Sequence, residues 1–121
     1  MSKKNSNPFA HAWVGISATF HTERNFKIHV ACSLLVIILG IWLPLTTSDW
    51  YWIALCIALV LVTELLNTAV ESIVDLVSPT YHPLAKKAKD AAAGAVLIAA
   101  IFSLIIGGMI FIPKLCSYFG G

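Results

Sequence analysis

The chain has 121 residues, 59% of them hydrophobic and 12% charged, with a mean hydropathy of +0.85 and a formal net charge of +2. Soluble domains carry about a quarter charged residues, so the composition excludes an ordinary soluble globule and points to a membrane protein; so small a net charge gives no footing for nucleic acid. The length accommodates about three spanning helices of ~20 residues each. One domain over 1–121 is expected, too small to enclose a large site alone, so association with further copies is expected too.

Residues 1–7 are polar, carry Lys3 and Lys4, and read as a flexible tail. No signal peptide is expected, because no small-residue cleavage site ends the first apolar run. Pro8 suits the first turn of a helix over 8–22, where Phe9, Ala12, Trp13, Ile16 and Phe20 share one apolar face. Too short and mixed to span, this segment reads as an amphipathic helix in the membrane interface, with a short helix packed on the bundle as the alternative. The polar knot Glu23-Arg24-Asn25-Phe26-Lys27-Ile28-His29 runs into the first spanning helix, 26–43, which Pro44 and the Thr46–Asp49 cluster end. Trp42, Trp50, Tyr51 and Trp52 bracket that loop as an aromatic belt.

The second membrane helix covers 50–77 and breaks before Pro79. At 1.5 Å per residue it is roughly 40 Å long against a hydrocarbon core of ~30 Å, so its last turns must emerge. A third helix over 84–112 opens with Lys86, Lys87, Lys89 and Asp90, turns apolar, and closes at Pro113. Within it, Ala91-Ala92-Ala93-Gly94-Ala95 is a close-packing face. Cys32, Cys56 and Cys116 are scattered through apolar stretches and read as small buried hydrophobes outside any disulfide framework. Lys and Arg crowd the N-terminal flank and the 78–89 loop and are absent from 44–49, which predicts a cytoplasmic N-terminus and 78–89 loop.

The emergent turns hold the chemistry. Glu64, Asn67, Glu71 and Asp75 stand at i, i+3, i+7 and i+11 and fall within about 80° of one another on a helix. Carboxylates in or beside a membrane segment are expensive and mark a functional site. Glu64 and Glu71 lie about 10 Å apart along the axis, too far to share one ion. At the hydrocarbon edge Glu64 suits a general base acting on a lipid hydroxyl, with Asn67 one turn on to orient it. Glu71 with Glu23 offers oxygen ligands to Mg²⁺, which takes one or two carboxylates plus substrate phosphates. Lys89 would meet phosphate oxygens as a point charge. Two plainer readings stand beside these: the outer carboxylates pair with Arg24 and Lys89 across the bundle, and His82 is a loop histidine. No Walker P-loop and no GxGxxG is present.

The run Glu-Leu-Leu-Asn-Thr-Ala-Val-Glu-Ser-Ile-Val-Asp over 64–75, then Tyr81-His82, then Ala88-Lys89-Asp90 with Ala92-Ala93-Gly94-Ala95-Val96-Leu97, resembles the prokaryotic diacylglycerol kinase family of small integral-membrane lipid kinases. The resemblance runs from about Phe9 to Pro113, and Glu23-Arg24-Asn25 with Ile110-Phe111-Ile112-Pro113 is similar to the undecaprenol kinase branch. It implies an all-α homotrimeric bundle, each chain with three transmembrane helices and an N-terminal amphipathic interfacial helix, and composite active sites between subunits. Position by position, it implies Glu64 as catalytic base supported by Asn67, Glu23 and Glu71 as metal-holding carboxylates, and Tyr81, His82, Lys89 and Asp90 lining ATP. His11 stands where relatives often have an aromatic residue near the nucleotide. The expected activity is ATP- and Mg²⁺-dependent phosphorylation of a membrane alcohol at the cytoplasmic face of a bacterial cell membrane. Undecaprenol is the favoured acceptor and diacylglycerol the alternative. An ion conductor using the carboxylate stripe is the alternative from another class, disfavoured because Trp50–Thr63 offers no strongly ionisable group.

Overall fold

The computed structural model describes residues 7–120. The tail expected over 1–7, with Lys3 and Lys4, therefore lies outside the described residues except for Asn7. The described residues form four helices and no strand: α1 (Pro8–Thr22), α2 (Arg24–Trp42), α3 (Thr47–Val77) and α4 (Pro83–Phe119). The last three are long and apolar enough to cross a membrane.

Local chemistry sets each boundary. The Asn7 side chain accepts from the Phe9 N–H at 3.0 Å, and Pro8, which has no N–H to satisfy, opens α1. Glu23 alone separates α1 from α2: it is extended (φ −105°, ψ 113°), its N–H donates to the Thr19 carbonyl, and its own carbonyl accepts from Lys27. The expected start of this span at 26 is thus corrected to Arg24, since one extended residue turns the chain and the polar knot folds into the helix. The start of α3 moves from 50 to Thr47 through a capping box. The Thr46 hydroxyl accepts from the Asp49 N–H at 3.1 Å while Asp49 Oδ2 accepts from the Thr46 N–H at 3.0 Å. In α4, His82 Nδ1 accepts from the Leu84 N–H at 3.1 Å and Pro83 takes the first helical position.

The expected end of the last helix at 112 is also corrected, because α4 runs through Pro113 to Phe119. Pro113 removes one donor from the ladder, a loss that membrane helices tolerate. Leu115, beyond it, packs on the core cluster of Leu43, Ile53, Ile110 and Phe111, which gives the final turns something to hold.

Helix α3 is the hub. Its main partner is α4, α2 packs on it as well, and α1 touches α2 and α3 near its C-terminal end, where Thr19 is buried. The apolar face of α1 stays exposed at Phe9 (83%) and Trp13 (69%), so this helix offers it outward rather than to the bundle. Helices α2 and α4 both rest on α3 without packing on one another, leaving an apolar groove of about 580 Å³ lined by residues of all three. Ser103 Oγ donates to the Cys56 carbonyl at 3.3 Å across α3 and α4. All three cysteines are free, but only Cys56 is buried: Cys32, which lines the groove, and Cys116 are exposed, a correction to the expectation that all three sit inside. Large apolar side chains such as Leu35, Ile41, Ile98 and Leu104 also face outward, as the bilayer or further copies of the chain would require.

Gly40 marks a close approach between α2 and the start of α3. A Cβ there would stand 2.7 Å from the Trp50 ring and 2.9 Å from Leu45 Cδ1. Gly40→Val is expected to destabilise the protein by about 1–3 kcal/mol, the usual effect of overpacking, read as a lower thermal midpoint in detergent. Gly15→Ala, whose Cβ meets nothing within 4 Å, is expected to leave the midpoint unchanged or raise it.

Candidate active site

The polar stripe of α3 is graded by depth. Glu64 is buried, 4% exposed, Asn67 and Glu71 are half-buried, and Asp75 is exposed. A carboxylate sealed among Leu, Val and Ile needs a polar partner, because desolvation opposes its charge. Glu64 has one: its Oε1 lies 3.3 Å from His29 Nε2 on α2, with side-chain exposures of 5% and 26%. The Thr68 hydroxyl, one turn on, donates to the Glu64 carbonyl at 3.0 Å and so takes no part in that contact.

One turn outward, Asn67 Nδ2 donates to Glu71 Oε1 at 2.8 Å. The bond fixes the Glu71 carboxylate against its own helix and orients the amide so that Oδ1 turns the other way. That Oδ1 is buried and has no hydrogen-bond partner. Buried polar atoms are almost always satisfied, so an acceptor left open beside a pinned carboxylate marks a place where a donor or cation belongs.

At the outer end, Lys89 Nζ of α4 contacts Asp75 Oδ1 of α3 at 2.5 Å, while Lys86 pairs with Asp90 at 2.6 Å along α4. The pairing of an outer carboxylate with Lys89, weighed from the sequence, is therefore present. Arg24 makes no ion pair among the described residues, so its expected share in such pairing is corrected; it opens α2 and points to solvent. His82 caps α4 through Nδ1, and Tyr81 beside it is 78% exposed. His11 is exposed on α1, and Glu23 is half-buried at the α1–α2 joint. The single chain thus joins Asn67 to Glu71 and Lys89 to Asp75, and leaves His11, Glu23 and Tyr81 without a side-chain hydrogen bond among the described residues.

The structure adds His29, from the polar knot, to the expected site residues. The signal was available: an ionisable residue over a turn inside a spanning helix is as anomalous as Glu64 itself.

Among the described residues no three His, Cys, Asp or Glu side chains come together as a self-contained metal cage. The donor set instead fits a hard cation that takes one or two carboxylates and draws its other oxygens from water and phosphate. The pinned Glu71 and the open Asn67 Oδ1 are consistent with such a site.

Three spanning helices, a buried carboxylate at one end of an apolar groove, and carboxylates and a lysine above it describe a small membrane protein built to work on an amphiphile at the bilayer edge. The family model for prokaryotic diacylglycerol kinase matches residues 10–111, and the chain belongs to that family. It is 51% identical over 107 residues to the undecaprenol kinase of Bacillus subtilis (strain 168), covering 88% of this chain and 87% of that one. It is 50% identical over 110 residues to a diacylglycerol kinase of Synechocystis sp., covering 90% of this chain but 63% of the longer relative. It is 33% identical over 95 residues to the diacylglycerol kinase of Escherichia coli (strain K12), with 78% of each chain covered.

The Asp75–Lys89 pair is largely exposed, 65% and 41% at the two side chains. Asp75→Asn is therefore expected to change stability by less than about 1 kcal/mol, with a thermal midpoint in detergent near that of the parent.

Proposed function

We propose that this protein transfers the γ-phosphate of ATP to undecaprenol, giving undecaprenyl phosphate. The observation that carries the reading is the buried Glu64 carboxylate, held at the end of an apolar groove and followed outward by Asn67, Glu71, Asp75 and Lys89. A lipid alcohol needs that order: its chain in an apolar setting, its hydroxyl at the hydrocarbon edge, and the phosphates outside it. The 51% identity to an enzyme named undecaprenol kinase favours the polyprenol as acceptor. Diacylglycerol is the second reading, favoured by the name of the Synechocystis relative at 50% identity.

In the proposed reaction Glu64 accepts the proton of the lipid hydroxyl. The hydroxyl oxygen forms a bond to the γ-phosphorus as the bond from that phosphorus to the bridging oxygen breaks, and the electron pair leaves with ADP. Positioning and charge neutralisation dominate phosphoryl transfer, so the remaining residues bind and orient. Asn67 holds Glu71, and Glu71 with Glu23 would hold Mg²⁺. The metal, when bound, offsets charge on the phosphate oxygens. Lys89 adds a point charge beside them, and Tyr81, His82, Asp90 and His11 would line the nucleotide. The resemblance to the family supports a homotrimer with composite active sites formed between neighbouring copies. The placement of Lys and Arg in the sequence supports a cytoplasmic site in a bacterial cell membrane.

Purified protein in mixed micelles with labelled ATP and either lipid tests the reading. Undecaprenol should be phosphorylated with the higher kcat/KM, and labelling of neither lipid would overturn it. Glu64→Gln is expected to lower turnover by at least about a hundredfold, as loss of a general base does, while ATP binding persists. Glu71→Gln is expected to lose Mg²⁺-dependent ATP binding, measured by equilibrium dialysis.

A further inference from the structure

We propose that His29 is a positioning residue for Glu64: it holds one carboxylate oxygen and leaves the other to take the proton. This rests on the reading of Glu64 as the base.

The contact joins two helices. His29 Nε2 on α2 reaches Glu64 Oε1 on α3 at 3.3 Å, and no other ion pair among the described residues involves either side chain. Glu64 is 5% exposed at its side chain and His29 26%, so the contact is shielded on the carboxylate side and open on the imidazole side. Where water is scarce, a single donor dominates a carboxylate's orientation. Nε2 can present a proton to the carboxylate both as the neutral Nε2–H tautomer and as the imidazolium.

Both ends are anchored. One turn before His29, Phe26 is 3% exposed and seats α2, and one turn after it Ser33 Oγ donates to the His29 carbonyl at 2.8 Å. On α3, Val60 is buried one turn before Glu64. Phe26 and Val60 seat the two helices beside the pair, and the carboxylate's terminal torsion, which is soft and roughly two-fold, is a freedom that His29 can remove. With Oε1 engaged, Oε2 is the atom that meets the acceptor hydroxyl. His29 also lines the apolar groove, together with Ser33 and Val60, so the imidazole stands where the groove meets the carboxylate. A lipid chain in that groove ends its apolar run beside the pair. Orientation of a base toward its proton is a large part of what general-base catalysis supplies.

The substitutions that separate this role from packing are His29→Phe, which keeps a ring and removes the donor, and His29→Gln, which loses the ring and keeps an N–H at similar reach. Turnover with undecaprenol and ATP should fall at least about tenfold in His29→Phe, with KM for ATP within twofold of the parent, as an orientation defect confined to the transition state requires. His29→Gln should recover most of the loss. In a Glu64→Asp background, whose carboxylate is too short to reach α2, His29→Phe should have no further effect, the non-additivity of two groups that act through one contact, while recovery in His29→Gln separates the donor from packing. If His29→Phe does not fold in detergent, His29→Asn, a methylene shorter than Gln, replaces it with the same expectation. Turnover within twofold of the parent in His29→Phe, or a His29→Gln variant as slow as His29→Phe, would overturn the proposal while leaving Glu64 as base. Normal turnover in Glu64→Gln, or no labelling of either lipid by the parent, would overturn the underlying reading and this one with it.

Discussion

A helix cannot hide more of itself in a membrane than the membrane is thick, and that limit organises the chain. Helix α3 has 31 residues and is about 46 Å long at 1.5 Å per residue, against ~30 Å of hydrocarbon. Roughly three turns must leave the apolar slab, and the stripe from Glu64 to Asp75 occupies that end. Exposure rises along it as the helix moves outward, from a buried Glu64 to an exposed Asp75. Because α2 and α4 both pack on α3, its register also sets where His29 and Lys89 arrive.

Depth then decides what each polar contact is worth. At Asp75–Lys89 water competes with the pair and the interaction contributes little to folding. At Glu64 the carboxylate is shielded, so the same kind of contact weighs far more on whether a carboxylate is tolerable there. The Asn67–Glu71 bond lies between these extremes, and Asn67 Oδ1 beside it is buried without a hydrogen-bond partner among the described residues. The core of one chain is correspondingly thin: among the described residues no large side chain is wholly sealed, and long rows of Leu and Ile look outward from α2 and α4.

How much of this is legible in the sequence depends on whether the signal is periodic or local. Three spans and a separate short helix follow from apolar runs and the 3.6-residue period, and the depth order of the stripe follows from spacing alone. Boundaries depend on single hydrogen bonds and are harder to read. Thr46-x-x-Asp49 is a capping-box pattern hidden inside what looks like a polar loop, and His82 resembles any loop histidine until its Nδ1 meets the Leu84 amide. Pro113 reads as a stop because a proline ends most helices, whereas here Leu115 has a cluster to pack on. His29 is hidden by its neighbours: Glu23, Arg24 and Lys27 make the stretch look uniformly polar, and only the turn of α2 toward α3 singles it out. Glu71 and Glu23 belong to different segments, and no pattern within one segment relates them.

The one-residue joint at Glu23 has a consequence for how this chain can vary. Glu23 closes α1 and opens α2, so the direction of its side chain is tied to two helical ladders at once. Inserting or deleting a residue on either side would swing it by about 100° around the helix axis and move it ~1.5 Å along it. A loop such as 78–82 can absorb a change of length, but this joint has no slack in which to do so. Exposed neighbours such as Thr22 and Arg24 can be substituted; insertion is not open. The spacing between α1 and α2 is therefore as fixed as the spacing within a helix, although the two helices run in different directions.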